Sequence, residues 1–144
     1  MKRVAIVKSR FNEEITSRLL ASCMKTFKSE GWTDAQLKVV EVPGGWEIAW
    51  AAQELARTNL YSAVVTLGCV MKGRTPQNDH LARSLVQSLH RISLDTRIPV
   101  ILGVITPNNA GQAMARTRGK MDRGHEAALA ALEMIKLKED LRGS

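Results

Sequence analysis

The chain alternates short runs of β-type residues with longer amphipathic stretches, and this alternation limits its fold more than any other feature. Between the β-type runs, apolar residues recur every three to four positions, which predicts strand–loop–helix units. Strands are predicted at 4–8, 37–42, 62–67 and 99–105, and helices at 13–30, 46–58, 79–93, 110–117 and 125–138. Strands and helices that alternate in this way form a parallel sheet with helices on both faces. We therefore predict an α/β fold with a four-stranded parallel sheet.

Composition favours a single domain that spans residues 1–144. A chain of 144 residues can bury a sizeable core, and 44% hydrophobic with 24% charged residues is ordinary for a globular protein. No apolar run approaches the roughly 20 residues that cross a bilayer, so we expect no membrane association. The N-terminus resembles no secretory signal, and the two cysteines form no motif. We therefore expect a reduced, cytoplasmic setting.

The formal net charge of +7 raises the question of a nucleic-acid partner. Against that interpretation, only 4% of the residues are aromatic, no recognition motif is present, and the cations are spread along the chain. A solvated basic face or an anionic small substrate fits this pattern better, so nucleic acid is not the expected partner. A steep salt dependence of RNA or DNA binding would reverse this interpretation.

Ligand-binding residues are expected where the strands end, because parallel sheets bind ligands beyond the carboxyl ends of their strands. The loop 68–79 follows the third predicted strand and contains two glycines, two cations and a hydroxyl: Lys72, Arg74 and Thr75 carry the polar groups. Backbone N–H groups, a helix N-terminus and the side-chain charges can all point at one phosphate. The alternative is that these cations are simply solvated.

Two aromatic residues, Phe11 and Trp46, follow predicted strands, and two interpretations are open for each. A flat ring beside a pocket suits a planar heterocycle, whereas a ring that packs its helix on the sheet needs no ligand. Gly44 and Gly45 either let a ligand approach the backbone or only shape the turn. Glu47 either accepts hydrogen bonds from sugar-like hydroxyls or acts as a favourable charge near a helix N-terminus.

Four motifs, taken in order, carry a family resemblance. They are Arg10-Phe11-Asn12, the stretch VPGGWEI at 42–48, Gly73-Arg74-Thr75-Pro76 and Gly103-Val104-Ile105-Thr106. Together with a last helix at 124–134, they resemble the 6,7-dimethyl-8-ribityllumazine synthase family of riboflavin synthesis over about residues 4–141. The resemblance implies a flavodoxin-like three-layer α/β/α sandwich.

The resemblance also implies a reaction. The family condenses 5-amino-6-(D-ribitylamino)uracil with 3,4-dihydroxy-2-butanone 4-phosphate, and 6,7-dimethyl-8-ribityllumazine forms with loss of phosphate and water. No metal and no organic cofactor is used, so the implied partners are these two small substrates. An amine and a ketone condense readily once they are held together, so proximity and orientation supply much of the acceleration.

The roles implied for the pyrimidine and ribityl part of the site fall on seven positions. The resemblance implies that Phe11 stacks on the pyrimidine, while Gly45, Trp46 and Glu47 hold the pyrimidine and the ribityl chain. The pyrimidine slot would be lined, largely by backbone groups, by Cys69, Val70 and Met71.

The phosphate of the four-carbon substrate is implied to bind to Arg74, Thr75 and Arg116. Leu102 takes a position at which the family usually has an aromatic residue supplied by the neighbouring subunit. The family's site therefore lies between subunits, and its members form pentamers, many of which assemble further into icosahedral capsids. We expect a homo-oligomer, either a pentamer or a 60-mer built from pentamers.

The family's proton-transfer histidine falls at Gln77 in this chain. Glutamine donates and accepts hydrogen bonds but takes up no proton near neutral pH, and losing a general acid/base typically costs about 10²–10⁴-fold in rate. Three explanations are open. Gln77 only orients the substrates, or His80 three residues further takes over, or the chain is a weak or inactive paralogue that binds a flavin or lumazine or forms a shell.

Overall fold

A computed structural model of the chain describes residues 1–73 and 75–143. Strands and helices alternate as the sequence predicts, and their bounds are β1 (Val4–Ser9), α1 (Glu13–Ser29), β2 (Leu37–Val42), α2 (Gly45–Arg57), β3 (Ala63–Cys69), α3 (Pro76–Thr96), β4 (Val100–Ile105), α4 (Ala110–Ala115) and α5 (Arg123–Arg142). Short 3-10 turns at Asp34–Gln36 and Gly119–Met121 were not predicted. No helix of the described residues is long and apolar enough to cross a membrane.

The four strands form one parallel sheet in the order β2-β1-β3-β4. The chain runs outward from β1 to β2 and then returns across β1 to β3, so its winding direction reverses between β1 and β3. In sheets of this kind the crevice beyond the carboxyl ends at the reversal is where ligands bind. The topology therefore predicts a ligand site at the loops that follow β1 and β3.

Alternate residues of the strands face opposite helical layers. Val4 and Ile6 pack with α1 and α5, whereas Ala5 and Val7 pack with α2 and α3. One face of α1 is apolar, and its residues are buried or pack against the core. The structure thus has helices on both faces of the sheet, and the predicted α/β/α fold class is confirmed.

Two glycines set how closely α5 approaches the rest of the molecule. A Cβ atom at Gly124 would overlap the backbone carbonyl of Leu19 in α1. A Cβ atom at Gly103 in β4 would overlap the backbone oxygen of Thr66 and press on Ala127 of α5. Any side chain at either position would therefore push α5 outward, together with the segment that precedes it.

Helix α3 begins at Pro76, three residues before the predicted start, so that boundary was wrong. Thr75 is the N-cap, and its hydroxyl oxygen accepts a hydrogen bond from the backbone N–H of Asn78 over 3.2 Å. Proline favours the first helical position, because no intrahelical partner exists there for the missing N–H. Gln77 and Asn78, predicted to lie in a loop, therefore belong to the first turn of α3.

Candidate functional site

The loop after β1 exposes the ring of Phe11, while its backbone is tied to the neighbouring strands. The backbone N–H of Phe11 donates to the carbonyl of Pro43 over 3.0 Å. Asn12 has a positive φ of 62°, and its side-chain amide donates to the carbonyl of Cys69 over 2.9 Å. The ring itself is 69% exposed, so it does not pack α1 on the sheet. The packing interpretation of Phe11 is therefore not supported.

The start of α2 lies beside this loop. Trp46 is 74% exposed and likewise packs no helix on the sheet. A carboxylate oxygen of Glu47 accepts a hydrogen bond from the backbone N–H of Gly44 over 2.9 Å, which closes a capping interaction at the N-terminus of α2. A Cβ atom at Gly45 would lie 3.3 Å from the Val70 side chain, so the glycine lets α2 approach the loop after β3. Both glycine interpretations thus remain compatible with the structure.

The segment Cys69–Met71 continues β3 towards the crevice and is held by its backbone. The N–H of Val70 donates to the carbonyl of Ile105 over 2.9 Å, and the carbonyl of Met71 accepts a hydrogen bond from the side chain of Asn78 over 2.9 Å. Cys69 is buried, and burial raises the pKa of its thiol to about 11, although the positive charge of Arg116 acts in the opposite direction. The thiol is therefore neutral near pH 7 and is no nucleophile there.

The start of α3 presents polar side chains to solvent. Thr75, Gln77 and His80 are all exposed, and Gln77 and His80 are separated by three positions on the helix, which makes them neighbours on its surface. The backbone N–H of Gly73 donates to a carboxylate oxygen of Asp79 over 3.1 Å and so fixes the loop before the helix. Arg74, the predicted phosphate ligand in this loop, lies outside the described residues.

Arg116 follows α4 and is half-buried beside the outer edge of β4. Its Nε atom is fully buried, and no atom of the described residues accepts a hydrogen bond from it. Together with Leu102, which is 50% exposed, Arg116 lines a cavity of about 380 Å³. Arg123 and Glu126, which form an ion pair with 3.3 Å between nitrogen and oxygen, also line it. A half-buried guanidinium with a free Nε donor is suited to an anion.

Nine of the predicted site residues fall into two groups. The aromatic group surrounds the crevice between β1 and β3 and consists of Phe11, Gly45, Trp46, Glu47, Cys69, Val70 and Met71. The β4-edge group consists of Leu102 and Arg116, which share the cavity at the outer edge of β4. Arg116 lies near enough to the aromatic group for its charge to act on the Cys69 thiol, whereas Leu102 lies in the middle of β4.

Two residues that connect these loops were not predicted to matter. The side-chain amides of Asn12 and Asn78 each donate to a carbonyl of the segment after β3. A signal for Asn12 exists in the sequence, because asparagine tolerates positive φ better than most residues. Asn78 follows a Thr-Pro pair, which is typical of a capped helix start, but its bond to Met71 depends on tertiary structure.

The fold and these groups define a class: an α/β protein with a crevice at the winding reversal of a parallel sheet, exposed rings beside it and a half-buried cation that lines a cavity at β4. Such crevices are typical of enzymes that bind small ligands. Among the described residues, no three His, Cys, Asp or Glu side chains are arranged to hold a metal ion.

Comparison with known proteins identifies the family. The family model for 6,7-dimethyl-8-ribityllumazine synthase matches residues 1–139. The chain is 42% identical over 142 residues to the 6,7-dimethyl-8-ribityllumazine synthase of Salinibacter ruber, covering 98% of this chain and 91% of that protein. It is 40% identical over 140 residues to that of Stenotrophomonas maltophilia, covering 96% and 90% respectively. The chain therefore belongs to the 6,7-dimethyl-8-ribityllumazine synthase family, and the predicted resemblance is confirmed.

Proposed function

We propose that the chain catalyses the condensation of 5-amino-6-(D-ribitylamino)uracil with 3,4-dihydroxy-2-butanone 4-phosphate to 6,7-dimethyl-8-ribityllumazine, a transferase step of riboflavin biosynthesis. Family membership supports this function over a ligand-binding or shell-forming role without catalysis. The observation that carries it is the guanidinium of Arg116, whose Nε is buried without an acceptor among the described residues. The reaction requires such a group for the substrate phosphate.

In this proposal the aromatic group binds the pyrimidine substrate. The exposed ring of Phe11 stacks on the pyrimidine, because stacking removes apolar surface of both rings from water. Trp46, Gly45 and Glu47 hold the pyrimidine and the ribityl chain, and Glu47 retains acceptor capacity for hydroxyls beyond its bond to Gly44. The pyrimidine slot is lined by Cys69, Val70 and Met71.

Phosphate binding is proposed for Arg116, Thr75 and Arg74. The capping bond of Thr75 uses an oxygen lone pair, so its O–H hydrogen can still donate to a phosphate oxygen. The N-terminus of α3 adds a partial positive charge beside Thr75, its N-cap. Fixed positive groups stabilise the charge that develops as phosphate leaves, and this stabilisation is typically the largest single contribution to catalysis.

Proton transfer is the point at which this chain departs from its family. We infer that Gln77 takes the position of the family histidine and orients the substrates through its amide, while His80 accepts and returns protons during imine formation, phosphate elimination and ring closure. Its exposure and its place one helical turn from Gln77 support this role for His80. His90 lies ten residues further along α3 and provides a control.

A homo-oligomer, either a pentamer or a 60-mer, is proposed because the family resemblance implies a site between subunits and because large apolar side chains are exposed on the chain. Leu102 is half-exposed in the middle of an edge strand, and Trp46 and Trp50 form a pair of exposed rings on α2. Apolar surfaces of this kind are typical of contacts between subunits. A single domain over residues 1–144 and a cytoplasmic location also stay predictions. The family match over residues 1–139 supports the first, and the two free cysteines are compatible with the second.

The proposal is tested by mixing both substrates with the native protein and measuring lumazine fluorescence together with phosphate release. We expect equal amounts of both products, formed at a rate proportional to protein concentration and above the rate in buffer. Arg116→Ala should lower that rate strongly. A rate equal to that in buffer would contradict the proposal, and pentamers that bind lumazine without forming it would favour the non-catalytic alternative.

A further inference from the structure

Lys8, near the end of β1, is charged but almost completely buried. Its side chain is 3% exposed, and its Nζ atom lies 2.8 Å from a carboxylate oxygen of Glu13 and 3.6 Å from one of Glu41. The two carboxylates keep much of their contact with water, since their side chains are 59% and 48% exposed. Burying an ammonium between partly solvated carboxylates costs desolvation energy that the ion pairs need not recover. Stability alone therefore does not account for this lysine.

The two carboxylates that pair with Lys8 lie on α1 and β2, and both elements are next to the loop that carries Phe11. Glu13 is the first residue of α1, which begins where the loop ends. Glu41 is the register partner of Lys8 on β2, two residues before Pro43, which accepts the backbone hydrogen bond of Phe11. The ammonium thus connects β1, β2 and the start of α1 around the loop at 9–12.

The position of the Phe11 ring depends on this loop. Because the ring is exposed, no packing around the side chain fixes it. Its place beside Gly44, where a Cβ atom would lie 3.9 Å from the Phe11 Cβ, is set by the backbone on both sides. On one side the backbone is held by the amide of Asn12, and on the other by the ladder to β2. Lys8 connects the two sides through its ion pairs with Glu13 and Glu41.

We propose that Lys8 is a positioning residue for the pyrimidine substrate, because its ammonium joins Glu13 to Glu41 and thereby fixes the loop that presents Phe11. This inference rests on the proposed function and assigns a cause to the geometry of the aromatic group. Lys8 does not touch the substrate, since its ammonium is buried on the α1 side of the sheet. Fixing the ring in advance reduces the ordering cost of binding.

The interaction of Glu13 supports this role. Its carboxylate also accepts a hydrogen bond from the hydroxyl of Ser17 over 3.1 Å, so it is directed towards Lys8 from within α1. The hydrogen bond from Lys8 is the main cause that lowers the pKa of Glu13, with a further contribution from the charge of Arg10. The carboxylate therefore remains ionised, and the connection persists, throughout the neutral range.

The test compares Lys8→Met with Lys38→Met, which removes an exposed lysine from the neighbouring strand β2. Binding of 6,7-dimethyl-8-ribityllumazine is measured by fluorescence, and KM is measured separately for each substrate. We expect Lys8→Met to fold, because a buried methionine avoids the desolvation cost, and to bind the lumazine about 10-fold more weakly. KM should rise for the pyrimidine substrate alone, and Lys38→Met should match the native protein.

Native-like lumazine affinity in a folded Lys8→Met variant would overturn the positioning role, as would an equal rise in KM for both substrates. If Lys8→Met does not fold, Glu13→Gln takes its place. It removes the charge of an exposed partner, and we expect a smaller loss in the same direction, whereas no loss would again overturn the role. Failure of the proposed function itself looks different, because the native protein would then form no lumazine above the rate in buffer, whether or not it binds the lumazine.

Discussion

The aromatic group and the β4-edge group differ in how completely one chain builds them. Hydrogen bonds from Phe11, Asn12, Val70 and Asn78 connect the loops of the aromatic group to one another and to the sheet. The backbone of the β4-edge group is also held, because Arg116 bonds to Gln112, Ala113 and Arg123, but the Nε of its side chain is buried without an acceptor among the described residues. The loops of the aromatic group are thus held within one chain, whereas we propose that an anion and a second subunit complete the β4-edge group.

The unpaired Nε donor of Arg116 affects the free energy of anion binding. A buried polar group without a partner typically costs about 1–3 kcal/mol, and more when it carries a charge. A phosphate that accepts from the guanidinium removes this cost, so part of the binding energy comes from relief of an unfavourable free state. The aromatic group offers no comparable gain at Phe11 and Val70, because their backbone N–H groups already have partners.

The largest effect is expected from Arg116→Ala, which removes the cation of the β4-edge group. We expect kcat/KM to fall by about 10²–10³-fold, the range seen when a fixed group that stabilises developing charge is lost. Arg116→Lys should recover only part of this loss, because an ammonium cannot form the paired bonds of a guanidinium. Arg118→Ala, an exposed arginine two residues further, is the control. Equal activity of Arg116→Ala and native protein would show that the cation of the β4-edge group does not contribute to catalysis.

His80→Gln is the next change in order of size. It removes the proposed proton carrier at the start of α3 while Gln77 stays in place, so we expect kcat to fall by about 10²-fold. His90→Gln on the same helix should have no effect. The pH dependence of kcat measures the role directly, because the limb that reports a histidine should disappear with His80. If the rate and its pH profile are unchanged, positioning by Gln77 and the other residues is sufficient.

Gly124→Ala tests whether the two groups respond independently to a shift of α5. The added methyl group meets the backbone of Leu19, and we expect a loss of about 1–3 kcal/mol in the free energy of unfolding. Because α5 lines the cavity of the β4-edge group, KM for the phosphate substrate should rise more than lumazine affinity falls. Gly143→Ala, at the exposed end of α5 where an added Cβ atom makes only ordinary contacts, should be close to neutral. Urea unfolding curves of both variants provide the measurement.

The smallest effect concerns the thiols. Burial raises the pKa of Cys69 to about 11 and that of Cys23 to about 12, from an ordinary value of 9.0. We expect both to react slowly with a disulfide reagent at pH 8 in the folded protein and rapidly after unfolding. Because the folded state retains protons that the unfolded state loses above pH 9.0, the free energy of unfolding should decrease as pH rises from there to about 11 for Cys69. Fast labelling of Cys69 in the native protein would show that the reagent reaches its thiol without unfolding.

Much of the fold could be predicted because the alternation of patterns fixes it locally. The bounds of β2 and the start of α1 follow directly from the β-type run and from the residues before Glu13. The start of α3 could not be predicted as well, because Pro76 also suits a loop and only the bond from Asn78 to Thr75 distinguishes the two. Local signals therefore predict elements better than their ends.

The candidate site could be predicted as a set of residue types but not as two groups. The residues that follow predicted strands can be expected to meet at one edge of the sheet, and this expectation needs no tertiary information. The burial of Arg116 and of Lys8 depends on how β4, α1 and α5 pack, which no local pattern contains. In the sequence, Lys8 is simply a cation at the end of a strand.

The central claim is that one catalytic site takes its aromatic group from one subunit and its β4-edge group from a neighbour. Co-expression of Phe11→Asp with Arg116→Ala, each weakly active alone, tests it directly. We predict that mixed oligomers recover about one quarter of the native activity, because each site draws its two groups independently. As a control, Phe11→Asp is co-expressed with a chain that carries both changes, and no recovery is expected there. Mixed oligomers no more active than the two variants alone would contradict the account.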